Sequence, residues 1–459
     1  MRPLFRAGSP CWSYLLSAWL AAAAAGCALD ARQPLATDGA GPALGSIARP
    51  FLCPGSPDIV VSTEAQLRSA VVSAPAGATI AISGMIDVSG GAIFVTRSDL
   101  RLTCAAPGAG LRGKTLAPPG RLLLIHNARV SVTGLRLDGQ NTTIETLLVQ
   151  SPLGGPTAGD VVLADNDMTC GPNTCAFFHG TPRAVIARNH MVPSPAGTTN
   201  IVVVQGQTAV PAEDVTLADN AMSCGTNTCA FFIGTPRAVI ARNRIAAAAS
   251  ISGIHVQRLI GSTGAIVPTD GTRVEQNYVT TSGSSTNALF GGIRLRDGSD
   301  IVAVDNIVTG PWMNSMSLTA MAGGEITRNQ LRGAVQEGIA FGLNAGAVAI
   351  SLDGLAIRNN RVTEAGIAGL GVRLTCRSVF VGNNLSGNAN DQGAVFFPAT
   401  GANTFVGNGT IVFNNGDLDC DGDGIPDPNV ISGATRLEHG LPGGALIGGA
   451  VSGAVSLMQ

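Results

Sequence analysis

Residues 160–192 read DVVLADNDMTCGPNTCAFFHGTPRAVIARNHMV, and residues 214–246 read DVTLADNAMSCGTNTCAFFIGTPRAVIARNRIA. The two segments are nearly identical and start 54 residues apart, so the chain contains an internal duplication. Self-similarity at a fixed period is typical of repeat architectures, in which each unit packs on its neighbours. The length of 459 residues therefore does not indicate several ordinary domains.

A shorter period lies inside the duplication. A short apolar stretch ends in asparagine, and an apolar residue usually stands two positions later, at intervals of 23 to 34 residues. In the last repeat, Thr410 stands two positions after Asn408, where the other repeats usually have an apolar residue. The asparagines of this pattern are Asn166, Asn189, Asn220, Asn243, Asn277, Asn306, Asn329, Asn360, Asn383 and Asn408.

A unit this short cannot bury its own apolar face and has no room for a crossover helix. We therefore expect the chain to coil, with short parallel strands stacked on the next coil at about 4.8 Å. Asparagine suits the turns because it tolerates left-handed backbone angles and its amide can bond its copies on neighbouring coils. The asparagines are predicted to be structural.

The start of the repeat region, residues 58–88, reads DIVVSTEAQLRSAVVSAPAGATIAISGMIDV. Ser62-Thr63-Glu64 opens a helix with a capping residue, and Leu67, Ala70 and Val71 form one apolar face of it. Strands are predicted to follow at Thr79–Ile82 and Ala92–Thr96.

A short amphipathic helix ahead of stacked coils resembles the N-terminal cap of the pectate-lyase-like right-handed parallel β-helix family. The resemblance covers residues 55–415 and implies an all-β, single-stranded right-handed parallel β-helix with a short N-terminal capping helix. It implies nothing specific about activity, because this fold carries many unrelated functions.

The N-terminus predicts export. Arg2 and Arg6 precede an apolar run from Trp12 to Ala25, so residues 1–26 are interpreted as a signal peptide. Residues 24–27 resemble the lipobox of bacterial lipoproteins, with Ala24 where leucine is usual, which implies that Cys27 is acylated. Residues 27–54 are interpreted as a flexible tether. We expect a lipid-anchored protein of the bacterial cell envelope, at the outer membrane or cell surface, or a secreted protein if an ordinary signal is cut nearby.

Eight cysteines remain after Cys11 and Cys27 are set aside, and an even set in an oxidising compartment indicates disulfides. We expect local bridges within CGPNTC and CGTNTC, which hold Cys170, Cys175, Cys224 and Cys229. A metal site is a poorer interpretation, because the spacing is unusual and no histidine recurs in both copies.

Several segments align as apolar-x-apolar-polar strands, which predicts one outer face shared by successive coils. On that face we place His255, Arg294, Arg296 and Asp297 as candidate catalytic residues. The candidate ligand-binding residues are Gln205, Gln257 and Arg373. The alternative is an ordinary solvated face. The aligned segments are Thr146–Gln150, Ile201–Gln205, Gly253–Gln257 and Gly292–Arg296, with looser matches at Gly338–Gly342 and Gly371–Thr375.

Composition excludes some functions and leaves two open. A net charge of −2 without a basic stripe argues against nucleic acid. The aspartate pattern of polygalacturonases and the Asp-Pro-His-Asp tetrad of alginate epimerases are missing from the sequence. We expect a monomeric surface scaffold or binding module for a polysaccharide or cell-surface protein, touching the membrane only through its lipid. The alternative is a polysaccharide lyase or glycoside hydrolase acting on an acidic polysaccharide, whose carboxylates arginine would bind.

Residues 417–429 read DLDCDGDGIPDPN, with carboxylates at alternate positions and a glycine for the sharp turn. The motif resembles the calcium-binding thrombospondin type 3 repeat, except that Val430 stands where that repeat has its final acidic residue. The resemblance implies a structural calcium ion in a loop at 416–430, before a Gly/Ala-rich tail at 431–459 that is a cap or a mobile segment. The implied ligands are Asp417, Asp419, Asp421, Asp423 and Asp427.

Overall fold

The computed structural model of the protein is a right-handed parallel β-helix, so the predicted fold is confirmed. It describes residues 53, 55–114, 120–140, 144–152, 154–194, 197–248, 250–283, 291–342, 352–389, 393–396, 400–412 and 418–437. Most coils contribute one strand to each of three faces, and strands on one face pair in parallel with those of the neighbouring coils.

The three faces differ in strand length. The first face holds Ile59–Val61, Thr79–Ile82, Arg101–Cys104, Ser131–Thr133, Val162–Ala164, Val185–Ala187, Thr216–Ala218, Val239–Ala241, Arg273–Glu275, Val302–Val304, Glu325–Thr327, Ala356–Arg358, Val379–Val381, Thr404–Val412 and Val430–Leu437. The second face holds Met85–Val88, Gly110–Gly113, Arg136–Asp138, Asp167–Thr169, His190–Val192, Ala221–Ser223, Arg244–Ala247, Tyr278–Thr281, Ile307–Thr309, Gln330–Arg332 and Arg361–Thr363. The third face holds Ile93–Val95, Arg121–Ile125, Glu145–Gln150, Thr174–His179, Asn200–Gln205, Thr228–Ile233, Ser252–Gln257, Gly291–Ser299, Asn314–Ala322, Glu337–Phe341, Ala368–Val372 and Ala394–Phe396.

A few short strands lie outside this scheme. Leu259–Ile260 and Ile266–Val267 form an antiparallel hairpin that follows a third-face strand. Leu352–Asp353, Thr375–Cys376 and Thr400–Gly401 extend the ends of long third-face strands. The core inside the coils is a continuous column of Val, Ile, Leu and Phe side chains.

The helix Glu64–Ser73 caps the N-terminal end, as the sequence predicts. Thr63 is its N-cap, and its hydroxyl oxygen accepts from the Gln66 backbone N–H at 3.2 Å. Leu67, Ala70 and Val71 are buried on the first coils. The helix therefore covers strand edges that would otherwise be exposed.

The ten asparagines form one buried ladder, which confirms their structural role. Asn243 shows the pattern: its Nδ2 donates to Asn277 Oδ1 at 3.0 Å and to the Leu217 carbonyl at 2.9 Å. Its Oδ1 accepts from the backbone N–H and the Nδ2 of Asn220, at 3.1 and 3.0 Å. The same amide-to-amide bond joins each neighbouring pair from Asn166 to Asn408. The ladder fixes each coil on the next.

Charges alternate at the corners beside this ladder. The residue before each asparagine has a positive φ, and Asp165, Arg188, Asp219 and Arg242 occupy this position in four successive coils. Arg188 binds Asp165 at 2.6 Å and Arg242 binds Asp219 at 2.9 Å, in both cases through two nitrogens. A second corner five residues earlier repeats the alternation, with Asp160, Arg183, Asp214 and Arg237.

Both predicted local disulfides are present, Cys170–Cys175 and Cys224–Cys229. Two further bridges were not paired from the sequence. Cys53–Cys104 ties the start of the described chain to an early strand, and Cys376–Cys420 ties the aspartate loop to the last coils.

The C-terminal end corrects one boundary. Val430–Leu437 pairs in parallel with Thr404–Val412, so strand stacking continues beyond residue 415, the bound predicted for the β-helix. The aspartate loop therefore leaves and rejoins the last coils rather than following the fold. The signal peptide, Cys27, Asp417 and the tail from residue 438 onward lie outside the described residues. No helix within the described ranges is long and apolar enough to cross a membrane.

We expect Asn243→Ala to lower the free energy of unfolding by roughly 3 kcal/mol or more, because it removes the acceptor of the buried Asn220 backbone N–H and the Nδ2 hydrogen bonds to the Leu217 carbonyl and Asn277 Oδ1. Urea unfolding followed by circular dichroism measures the change. The control is Gln330→Ala, which removes an exposed amide and should stay within about 0.5 kcal/mol of the parent. Equal effects of the two substitutions would contradict a stabilising ladder.

Candidate functional site

The third face carries two outward columns of side chains, three and five positions after each strand begins. Residues that occupy one column are Cα partners in neighbouring strands. The central column contains Leu148, Phe177, Val203, Phe231, His255, Arg294, Ser317, Ala340 and Gly371. The flanking column contains Gln150, His179, Gln205, Ile233, Gln257, Arg296 and Thr319.

The predicted alignment is right in register and wrong in two details. The predicted alignment omits the strands Thr174–His179 and Thr228–Ile233, which begin within the cysteine-containing segments, so His179 and Ile233 separate the predicted glutamines. Gly371 pairs with Ala340, which shifts the predicted Gly371–Thr375 match by two residues. Arg373 therefore lies two residues beyond the central column, on the flanking side.

His255 and Arg294 are neighbours on adjacent coils, and both are shielded from solvent. Their exposed fractions are 5% and 6%, so the outer face is not an ordinary solvated surface at these positions. The Phe231 ring stacks on the His255 ring with centroids 4.7 Å apart. Gln257 and Arg296 lie two residues further along the same strands and are half-buried.

Electrostatics hold the imidazole neutral. Burial, and then the positive charges of Arg294 and Arg296, lower the pKa of His255 well below its ordinary value. Burial together with Arg296 lowers the pKa of Arg294 to about 10, against an opposing effect of Asp297. The same burial and positive charges weaken His255 as a base, so the imidazole becomes an effective proton acceptor when a bound anion offsets the charges of the two arginines.

Asp297 lies at the edge of this group. Its backbone is left-handed, with φ 61°, and its carboxylate accepts from Arg296 Nε at 2.6 Å. Arg258 Nε is 3.8 Å from the other carboxylate oxygen. The sequence did not single out Arg258, although it directly follows Gln257. Asp297 and Arg258 border a shallow depression of about 390 Å³ that is also lined by Asp270 and Asp353.

A second ion pair on this face, between Arg373 and Glu337, was not predicted from the sequence. Arg373 Nη1 donates to Glu337 Oε2 at 2.9 Å, and Arg373 Nη2 also binds the same carboxylate. A Cβ at Gly371 would lie 2.2 Å from Glu337 Cδ, so the absence of a side chain there makes room for the carboxylate. Glu337 is 36 residues from Arg373, and no local pattern joins them.

The aspartate loop gathers three of its predicted ligands. Carboxylate oxygens of Asp419, Asp421 and Asp423 lie within 4.8 Å of one another. The backbone N–H groups of Gly424 and Gly422 donate to Asp419 and lower its pKa. Asp427 is used differently, because its carboxylate accepts from the Cys420 backbone N–H at 2.9 Å.

No family model and no curated protein sequence matches this chain. Among solved structures it is similar to the A-module of the mannuronan C-5 epimerase AlgE6 of Azotobacter vinelandii, with 13% identity, a TM-score of 0.52, and coverage of 84% of this chain and 98% of that chain. The catalytic unit of a thermostable α-1,3-glucanase of Streptomyces thermodiastaticus gives 11% identity, a TM-score of 0.49, and coverage of 84% and 70%. The likeness is one of fold.

We expect acidification from about pH 7 to about pH 5 to destabilise the parent more than His255→Phe. The unfolded state takes up a proton near the ordinary histidine pKa of about 6.5, whereas buried His255 does not, so the free energy of unfolding falls as the pH drops through that value. Urea unfolding at several pH values measures the difference.

His190→Gln is the matched control with the opposite sign. The hydrogen bond that His190 Nδ1 donates to Asp167 Oδ1 raises the pKa of His190, so this histidine stabilises the fold below about pH 6.5 and loses that effect as the pH rises. His190→Gln should therefore steepen the loss of stability on acidification. A His255→Phe profile parallel to that of the parent would show that His255 titrates normally.

Proposed function

We propose that this protein acts on an acidic polysaccharide as a lyase, at the third face between His255 and Arg296. The observation that carries the proposal is a neutral imidazole next to Arg294 and Arg296, beside the depression lined by Arg258 and Asp297. The similar fold of the mannuronan C-5 epimerase A-module supports a polysaccharide as the partner.

The half-buried arginines would bind the sugar. Arg296 and Arg258 present guanidinium groups at the rim, where the planar fork matches a uronate carboxylate. With the carboxylate neutralised, the proton alpha to it becomes more acidic. Arg294, directly beneath, would add positive charge where the enolate develops.

His255 would take the proton in a β-elimination. The C–H bond alpha to the carboxylate breaks, its electron pair forms a carbon–carbon double bond, and the glycosidic oxygen leaves with the bonding pair and is protonated by solvent. His255 Nε2 is shielded from solvent, so substrate must displace the side chains over it. Hydrolysis is less well supported, because it needs two available carboxyl groups and both Asp297 and Glu337 are engaged by arginines.

A surface scaffold or binding module is the second candidate. The shielding of His255 favours it, because binding by Arg258 and Arg296 requires no access to the imidazole. Four disulfides in the described residues support an oxidising compartment and therefore export. An acylated Cys27 and a cell-envelope location remain part of the proposal.

The aspartate loop is proposed to bind one calcium ion through Asp419, Asp421 and Asp423, with Asp417 and Asp427 as further ligands. Three converging carboxylates repel one another without a cation, and oxygen ligands suit calcium. Because Cys376–Cys420 ties the loop to the last coils, the ion would stiffen this end of the fold.

We expect the mature protein to release unsaturated product from at least one acidic polysaccharide, detected by ultraviolet absorbance. His255→Gln should lower the rate by about 10²-fold or more, and Arg296→Ala should raise KM through lost carboxylate binding. The control is Arg332→Ala, an exposed arginine on the second face paired with Glu364 at 2.8 Å. Retention on a glycan column without product would support the binding module and rule out the lyase.

We expect calorimetry to detect one calcium ion per chain and saturating calcium to raise the free energy of unfolding by about 2.7 kcal/mol at 100 times the Kd. Asp423→Asn should weaken binding about tenfold or more, because it removes one carboxylate charge. Asp300→Asn, an exposed aspartate on another corner, is the control. The absence of heat and of a stability change in the parent would contradict the site.

A further inference from the structure

The internal duplication is two coils long. Asn166, Asn189 and Asn220 occupy successive coils at intervals of 23 and 31 residues, which together equal the offset between the copies. A side chain in the first copy therefore recurs two coils later at the same place on the surface. Two coils correspond to about 10 Å along the helix axis.

The central column of the third face shows this period. Phe177 and Phe231 are half-buried, two coils apart, and Val203 lies between them. Leu148 precedes Phe177, and His255 follows Phe231. The column therefore offers a ligand two phenylalanine rings that lie two coils apart.

The flanking column shows the same period, shifted by one coil. Gln150, Gln205 and Gln257 are half-buried and recur at every second coil. Within the part of the chain that the structure describes, none of these three side-chain amides has a hydrogen bond or ion pair. Each can donate and accept hydrogen bonds with a ligand.

Charge appears only at one end of this surface. From Leu148 to Gln257 the two columns hold apolar residues, amides and histidines whose pKa is lowered by burial. Arg294 and Arg296 follow on the next coil. A ligand that spans these six coils meets apolar and amide groups first and guanidinium groups last.

We propose that an extended polysaccharide with a two-sugar repeat lies along the helix axis over these six coils, one sugar per coil. Alternate sugars rest on Phe231 and Phe177, the sugars between them bond the glutamine amides, and the terminal uronate binds Arg294 and Arg296. This rests on the proposed function and adds the orientation and repeat of the substrate. The repeat arises from two alternating sugars or from the flip of every second ring in a homopolymer.

The spacing argues against a peptide as occupant. An extended peptide repeats its side-chain pattern at about 6.7 Å, which does not match a surface that repeats at about 10 Å. The surface is also the face of a sheet, where backbone groups are already paired, rather than an edge that could accept an added strand.

The test is binding of hyaluronan and mannuronan oligosaccharides of two, four and six sugars to the full mature protein, measured by calorimetry. A disaccharide covers the coils of Arg294 and His255, a tetrasaccharide adds Phe231, and a hexasaccharide adds Phe177. Phe177→Leu should weaken the hexasaccharide about tenfold and leave the tetrasaccharide unchanged. Phe231→Leu should weaken both.

Phe94→Leu is the matched control, because Phe94 is an exposed phenylalanine in the same column three coils before Phe177 and out of step with the two-coil period. It should change neither affinity. Equal losses for Phe94→Leu and Phe177→Leu, or binding by no oligosaccharide, would overturn the inference. Binding that strengthens with oligosaccharide length but gives no product would support this inference and contradict the proposed lyase activity. Product formation that neither phenylalanine substitution changes would support the lyase activity and contradict this inference.

Discussion

Ten successive coils are joined by a ladder of buried asparagine side-chain amides. An asparagine amide inside a protein needs partners, and those of Asn243 come from the coils above and below. The ladder begins where the Leu135 backbone N–H donates to Asn166 Oδ1 at 3.0 Å and runs to Asn408. Since the ladder fixes the register of ten coils, outward side chains fall into straight columns, and the candidate site is a stretch of two such columns.

The fold could be predicted because its determinants are local. The asparagine spacing, the capping residue Thr63 and the apolar face at Leu67 can all be read within one coil. The position of His255 and Arg294 on one face also follows from strand alternation. The burial of His255 could not be predicted. It depends on Phe231, which lies in the strand Thr228–Ile233, and that strand begins inside the CGTNTC segment. The Glu337–Arg373 pair depends on the missing side chain at Gly371, which no pattern marks.

The third face changes character along its length. Aromatic and amide side chains occupy the earlier coils, and arginines with engaged carboxylates occupy the later ones. The buried imidazole of His255 lies at the junction, with Phe231 on one side and Arg294 on the other. Under the proposed function, the side chains that would contact a sugar ring and those that would bind a carboxylate lie end to end on this face, with the proposed proton acceptor His255 between them.

The alternating corner charges constrain how such a chain can change its length. Copying one coil would set aspartate against aspartate, or arginine against arginine, at the spacing of neighbouring coils, where like charges repel. Copying two coils preserves the order Asp165, Arg188, Asp219, Arg242. The observed duplication has this even size. In these four coils, the gain or loss of two coils at a time therefore preserves the pairing of aspartate with arginine, whereas the gain or loss of one coil does not.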